Sequence, residues 1–274
     1  PPTHMSCRRQ RQMCIRDRAG IARLREAGVE VVAGIGRAAA ERLNEAFLHR
    51  VRSGRPLGIL KWAMSLDGRT ALPNGDSHWI SGEAARDWVH RLRARCDAVI
   101  VGGATVRADD PLLTSRGRRL PEPLRVVLSR GLDLPHTARL WDQTVAPTLV
   151  VHGPEAAGEA RQRLDRLGVE RLELKCCEPL PLLQALAARG CNQVLWECGP
   201  ALAAAALRQG GVQRLAAVIA PKLLGGRAAA TPLGNLDLTS LSQAPGCRFK
   251  IERMLGGDLL LVGNPTPVAS AEAD

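Results

Sequence analysis

Two short stretches place small residues and carboxylates where an apolar run ends. One is Gly102-Gly103-Ala104-Thr105, followed by Asp109-Asp110-Pro111; the other is Glu197-Cys198-Gly199-Pro200-Ala201. A small-residue turn between strand and helix exposes backbone N–H groups at the positive end of a helix dipole, which suits phosphate. Glycine permits close backbone approach, and the Thr105 hydroxyl can bond a ligand or cap a helix. On spacing alone both stretches also fit ordinary turns, Asp-Asp-Pro especially. Lys61 sits inside the apolar run Gly58-Ile59-Leu60-Lys61-Trp62-Ala63. Burying an unpaired ammonium is costly. Lys61 therefore either reaches water at a sheet edge or meets an anion, and Glu197 on an adjacent strand would serve.

Other chemistry is poorly supported. No Ser-His-Asp order or Cys-His pair stands out, and the six histidines are dispersed. The eight cysteines include no C-x-x-C, so neither a zinc site nor a redox pair is signalled. Buried reduced thiols are the better reading. No G-x-G-x-x-G follows a strand, which counts against a standard dinucleotide fingerprint.

The elements that must position these residues alternate. The pattern predicts a strand over 58–65, a tight turn at Asp67-Gly68-Arg69, a helix over 82–95 and a strand over 98–101. Strands follow at 124–128, 148–152, 169–174, 193–196 and 215–220. Helices are expected around Ala160, Leu164 and Leu167, over 180–188 and over 201–207. An antiparallel pair, 247–253 and 258–262, closes the chain. Ahead of these come a helix over 21–27 stopped by Gly28, a strand over 29–33 and a helix over 37–52. Repeated strand–helix alternation argues for an α/β fold with a mostly parallel central sheet flanked by helices and antiparallel strands at the C-terminal end. Such sheets bind ligands outside the carboxyl ends of their strands.

A chain of 274 residues buries a full core. No apolar run approaches the roughly 20 residues of a membrane helix, and no apolar stretch follows the basic start to make a secretory signal. These features point to the cytoplasm. Net charge is +11; the first 55 residues hold 12 Arg against 5 acidic residues, or +7, leaving +4 for the remaining 219. With two Phe, five Trp and no Tyr, the base-stacking platform of a nucleic-acid binder is thin. A non-catalytic basic binding protein is thus the weaker alternative.

KWAMSLDGR from Lys61, the Ser77-x-Trp79-Ile80 group and GGATVRADDPLLTSR from Gly102 occur in that order. Together they resemble the reductase domain of the bifunctional riboflavin-biosynthesis deaminase/reductase, over about residues 55–262. The resemblance implies a dihydrofolate-reductase-like arrangement and NADPH-dependent reduction of 5-amino-6-(5-phosphoribosylamino)uracil by hydride transfer to ribosyl C1′. It implies Ser77, Arg93, Leu113, Arg116 and Glu197 at the substrate, with Arg93 and Arg116 toward its phosphate. Ala63, Trp79, Thr105, Asp109 and the run from Gly199, Pro200 and Ala201 to Ala205 fall to the cofactor. Ser129 fits the extra 2′-phosphate of NADP or a turn start equally well. Lys61 or a nearby water is the candidate proton source, with Glu197 beside it. Lys222 either lines the pocket or faces water.

Residues 19–55 resemble the last segment of the family's deaminase domain. The zinc motifs H-x-E and P-C-x-x-C are absent here, so neither zinc nor deamination is expected. Residues 1–18 are expected to be a tail or artefact, 56–263 the reductase domain and 264–274 a disordered tail. A homodimer binding a small phosphorylated pyrimidine is the expected form, without nucleic acid or membrane. Another pteridine or pyrimidine reductase of the same fold is the alternative.

Overall fold

The computed structural model describes residues 19–266 apart from residue 228. The expectations for residues 1–18 and for 267–274 lie outside the described residues. The chain divides into two compact units, residues 1–44 and 45–274.

In the first unit, helix α1 (Ala19–Glu26) ends at Gly28 with φ 78°, the left-handed conformation a helix stop favours. The strand expected over 29–33 does not form. A strand needs a neighbour for its backbone groups, and this segment pairs with no described strand. The single helix expected over 37–52 is two, α2 (Arg37–Leu43) and, in the second unit, α3 (Glu45–Ser53). Asn44 separates them: its backbone N–H and side-chain amide both donate to the Ala40 carbonyl, the local competition that makes Asn a helix ender.

The second unit is built on a nine-stranded sheet. Its elements in chain order are β1 (Leu57–Ser65), α4 (Glu83–Ala94), β2 (Ala98–Gly102), α5 (Gly103–Asp109), β3 (Leu124–Leu128) and β4 (Thr148–His152). There follow α6 (Gly158–Arg166), β5 (Glu170–Glu173), α7 (Pro179–Ala188), β6 (Gln193–Trp196), α8 (Pro200–Arg208), β7 (Arg214–Ala220), β8 (Cys247–Leu255) and β9 (Asp258–Pro265). The strand order is β5-β4-β3-β2-β6-β1-β7-β9-β8. The first seven strands are parallel, and β9 and β8 add antiparallel to β7. This is the α/β arrangement that the resemblance implies. β9 runs further than expected: Asn264 and Pro265 pair with Arg248 and Cys247, so the ladder extends into the predicted tail.

Continuous apolar runs such as Ala98–Val101 and Leu149–Val151 form the parallel strands because both faces are covered. On one face Leu57, Ile59, Val99, Val101, Val127, Val150 and Leu195 pack with Leu92 of α4 and Leu164 of α6. On the other, Leu60, Ile100, Val126, Leu149, Val151 and Trp196 pack with Leu182 and Leu186 of α7 and Ala203 and Ala206 of α8. Each large side chain so buried contributes about 1.5–3 kcal/mol. Leu167, expected on the apolar face of α6, lies past its end and is exposed. Gly58 is demanded by packing: a Cβ there would sit 2.0 Å from the Gly211 carbonyl oxygen.

Candidate active site

The register of β1 against β6 pairs Leu60 with Trp196, which sets Lys61 level with Glu197. Side chains alternate along a strand. Leu57, Ile59 and Leu195 face α4, so Lys61 and Glu197 face it too. α4 supplies Arg93 to that face. Arg93 Nε donates to Glu197 Oε1 at 2.6 Å and Nη2 to Oε2 at 3.0 Å, while Nη1 donates to the Thr114 carbonyl at 3.0 Å. This bidentate fork is the strong form of the arginine–carboxylate pair. Burial would push the Glu197 carboxyl up, but Arg93, Lys61 and His90 outweigh it and hold it below its ordinary value. Burial chiefly, with Arg93 adding to it against the pull of Glu197, lowers the Lys61 ammonium.

Glu197 is thus bonded through both oxygens to Arg93, with the half-buried Lys61 as its charged neighbour, and Arg93 has every guanidinium nitrogen engaged by protein groups.

The two small-residue turns meet. Gly199 N–H donates to Thr105 Oγ1 at 3.2 Å, and Glu197 N–H donates to the Ile100 carbonyl at 3.0 Å. β2 and β6 are neighbours, so the helices that follow them, α5 and α8, begin side by side. Pro200 is the first residue of α8, where its missing N–H costs nothing; it and Ala201 are exposed. Ser129, at the end of β3, is buried beside the first turn: a Cβ on Gly103 would come within 3.0 Å of its hydroxyl. Asp109 ends α5; desolvation holds its carboxyl above the ordinary value against the opposing charge of His78.

The loops around these turns are conformationally unusual. Trp79, Asp110, Leu113 and Arg116 are four of the six non-glycine residues with positive φ among those described. Such backbone strain collects at functional sites. Trp79 is 63% exposed, with the Arg86 guanidinium 3.9 Å from its ring centroid and its carbonyl accepting from Lys222 Nζ at 2.6 Å. Ser77 is half-buried in the same loop, and Ala63 lies partly buried on β1. Lys222 therefore braces the Trp79 loop. Arg116 is exposed, on a loop pinned by Glu122, which accepts from the Ser115 and Gly117 N–H groups at 2.6 and 2.8 Å. Leu113 is buried in the core cluster, so any ligand contact it makes is through its backbone.

His90 escaped the sequence reading. It stands three residues before Arg93 on α4, its imidazole lowered by burial and by Arg93 and Arg116 and held by the Thr114 carbonyl. Its Nδ1 is buried without a described partner. The i, i+3 spacing to Arg93 is the signal that could have found it. Asp67, expected in a tight turn, does more than turn the chain. Its carboxylate accepts from the Ser65 hydroxyl and from the Leu224 and Gly225 N–H groups, tying the ends of β1 and β7 together. Cys198, next to Glu197, has its thiol pushed up to about 12 by burial, which removes it as a nucleophile.

A mostly parallel sheet with buried charge and paired small-residue turns along the carboxyl ends is the layout of open α/β proteins that bind small ligands there. Residues 56–261 match the family model described as the RibD C-terminal domain. The chain belongs to that family.

It is 48% identical over 244 residues to the riboflavin biosynthesis protein RibD of Synechocystis, covering 89% of this chain and 66% of that protein. It is 38% identical to the chloroplastic riboflavin biosynthesis protein PYRR of Arabidopsis thaliana, over 82% of this chain and 38% of that one. Among solved structures it superposes on Acinetobacter baumannii RibD with a TM-score of 0.78 at 36% identity, covering 90% of this chain and 68% of that one. A deaminase/5-amino-6-(5-phosphoribosylamino)uracil reductase from Thermotoga maritima gives 0.75 at 27%, over 90% and 67%. Among the described residues no helix is long and apolar enough to cross a membrane.

Proposed function

We propose that this chain is an NADPH-dependent reductase that converts 5-amino-6-(5-phosphoribosylamino)uracil to its 5-phosphoribitylamino product, in riboflavin biosynthesis. The observation that carries the reading is the Gly199–Thr105 hydrogen bond, which joins two phosphate-suited turns beside the half-buried Lys61–Glu197–Arg93 group. The family match and the names of the relatives support the same chemistry.

The dinucleotide, when bound, supplies a hydride to C1′ of the opened sugar, where an imine or masked aldehyde is reduced. The chain's residues do the rest. The Gly199, Pro200 and Ala201 turn and Thr105 cradle the pyrophosphate; Asp109, Ala63 and Trp79 line the nicotinamide half, and Ser129 meets the adenosine half. Arg116 is the exposed cation for the substrate phosphate, its loop preset by Glu122. Glu197 and Ser77 bond polar groups of the substrate, and Leu113 contributes backbone. Arg93 acts as a positioning residue that fixes both Glu197 oxygens. Lys61 donates the proton that the reduced nitrogen takes up. Its lowered pKa makes it a better acid than an ordinary lysine, as general acid catalysis near neutrality requires. This chain binds no zinc and deaminates nothing; it acts as a cytoplasmic homodimer on a small phosphorylated pyrimidine, without nucleic acid or membrane.

The test is NADPH oxidation followed spectrophotometrically with the phosphoribosylaminouracil, with NADH in parallel. Substrate-dependent oxidation supports the reading, and folded protein that oxidises neither dinucleotide overturns it.

A further inference from the structure

The loop that carries Arg116 is held in an unfavourable shape. Leu113 and Arg116 have φ of 56° and 58°, a left-handed conformation that such residues keep only where their surroundings enforce it. Between them the Thr114–Ser115 peptide is pinned from both sides. Ser115 N–H donates to Glu122 at 2.6 Å, and the Thr114 carbonyl accepts from Arg93 Nη1 at 3.0 Å. Thr114 and Ser115 are 5% and 0% exposed, so the peptide is largely shut off from solvent. A carbonyl has two lone pairs, and Arg93 takes one.

His90 stands where the second donor belongs. It lies one turn before Arg93 on α4, so the two side chains share a face. A ring N–H is directed at the same Thr114 carbonyl. Burial, then Arg93, Arg116 and Arg118, holds the imidazole below its ordinary value. Near neutrality it is therefore uncharged, with one N–H to give. Nδ1 is buried without a described hydrogen-bond partner, which leaves Thr114 as the polar anchor of the ring.

The two donors differ in what else they do. Arg93 is committed to Glu197 through Nε and Nη2, so its place follows that carboxylate. His90 has no second duty of this kind among the described contacts. Its ring nevertheless lies within electrostatic reach of Glu197 as well as of Arg116. It therefore stands between the carboxylate beside Lys61 and the exposed cation of the loop.

We propose that His90 is a positioning residue for the substrate's phosphorylated end: its N–H holds the Thr114 carbonyl and so fixes the backbone that presents Arg116. The inference rests on the role proposed for Arg116 above. A ligand cation on a loop gains from being preset, because the cost of ordering it is met before binding. Removing the His90 N–H frees one side of the Thr114–Ser115 peptide, and the substrate must then order Arg116 itself.

The experiment is steady-state kinetics of the whole chain with NADPH and the phosphoribosylaminouracil, for wild type, His90→Phe, His90→Leu, His90→Gln and His90→Asn. The first two substitutions remove the donor; the Gln and Asn amides each place an N–H near one of the ring nitrogens. In His90→Phe and His90→Leu the KM for the pyrimidine should rise about fivefold, the effect of one hydrogen bond. Both kcat and the KM for NADPH should stay at wild-type values, and one of the two amides should restore the pyrimidine KM. In an Arg116→Ala background His90→Phe should add no further rise, because it acts through that arginine. An unchanged KM, a loss confined to kcat, failure of both amides to restore KM, or an effect that adds to Arg116→Ala overturns the inference. So does failure of both donor-free variants to fold, which would make His90 a support of the core. If wild type reduces nothing, the cleft reading fails. If it does and His90→Phe matches it, only the His90 assignment fails.

Discussion

At the amino ends of the parallel strands the chain satisfies most of its own polar groups, Arg125 Nε excepted; at the carboxyl ends it leaves more of them open. Ahead of β2, Asp97 accepts from the Asn192 and Gln193 N–H groups at 2.7 and 3.1 Å and pairs with Arg119. Gln213 accepts from Gly58 N–H at 2.8 Å, and the Trp196 indole donates to the Gly211 carbonyl at 3.0 Å over a contact too tight for any Cβ. At the other end lie a half-buried lysine beside a carboxylate already held by arginine, turns with exposed first-turn backbone and two exposed cations, Arg130 and Lys175, beside a cavity. The amino ends are closed by the chain itself, and under the proposed function the carboxyl ends are completed by a ligand. Substitutions should therefore divide cleanly, with stability changing at one end and binding or turnover at the other.

The largest effect is expected where the two roles coincide. Glu197→Gln leaves the half-buried Arg93 and Lys61 without their anion; breaking a fully buried pair costs about 3–5 kcal/mol, and this one somewhat less. Chemical denaturation should show this loss together with a collapse of kcat; full stability would mean the ion pair is not formed as described. Gly58→Ala forces a Cβ into the Gly211 backbone and should cost about 1–3 kcal/mol or more. The refolded protein's kcat should be unchanged, and a selective kcat loss without destabilisation would break the division between the two ends.

Arg116→Ala removes an exposed cation from a loop that Glu122 holds. Stability should change by less than about 0.5 kcal/mol, while KM for the phosphorylated substrate rises about tenfold or more and that for NADPH stays put. Thr105→Val removes the acceptor for Gly199 N–H, costing about 1 kcal/mol and weakening the dinucleotide more than the pyrimidine, as steady-state constants for each would reveal.

The smallest effect sharpens the contrast through pH. The Ser65 hydroxyl, then the Leu224 and Gly225 N–H groups, lower Asp67 from 3.8 to about 2. A carboxylate with a depressed folded pKa stabilises above its unfolded value and loses that contribution as pH falls through the folded one. Asp67→Asn should thus be less stable near neutrality, with the gap closing between pH 3.8 and about 2 in acid-unfolding curves. A gap constant across that window would contradict the assignment.

The parallel strands were legible because a strand buried on both faces is apolar through its centre, as Ala98–Val101 and Leu149–Val151 are. The meeting of Thr105 with Gly199 was legible only as two separate turns, since strand order is a long-range property that no local pattern encodes. Arg93 shows the same limit. Its place at a helix end made it a solvated arginine or a ligand cation, and only the packing of α4 over β6 turns it onto Glu197. His90 was within reach of a spacing argument. Asp67 was not, because its partners Leu224 and Gly225 lie more than 150 residues away. The strand expected over 29–33 failed for the complementary reason: apolar residues there have no neighbour to pair with.

The most direct test of a cleft that joins dinucleotide and sugar phosphate is to follow the transferred atom. NADPH deuterated at the reactive ring carbon is turned over with 5-amino-6-(5-phosphoribosylamino)uracil, and the product is examined by NMR. The account predicts deuterium at C1′ of the new ribityl chain, with transfer lost in Glu197→Gln. Product without label, or no product from folded protein, would contradict it.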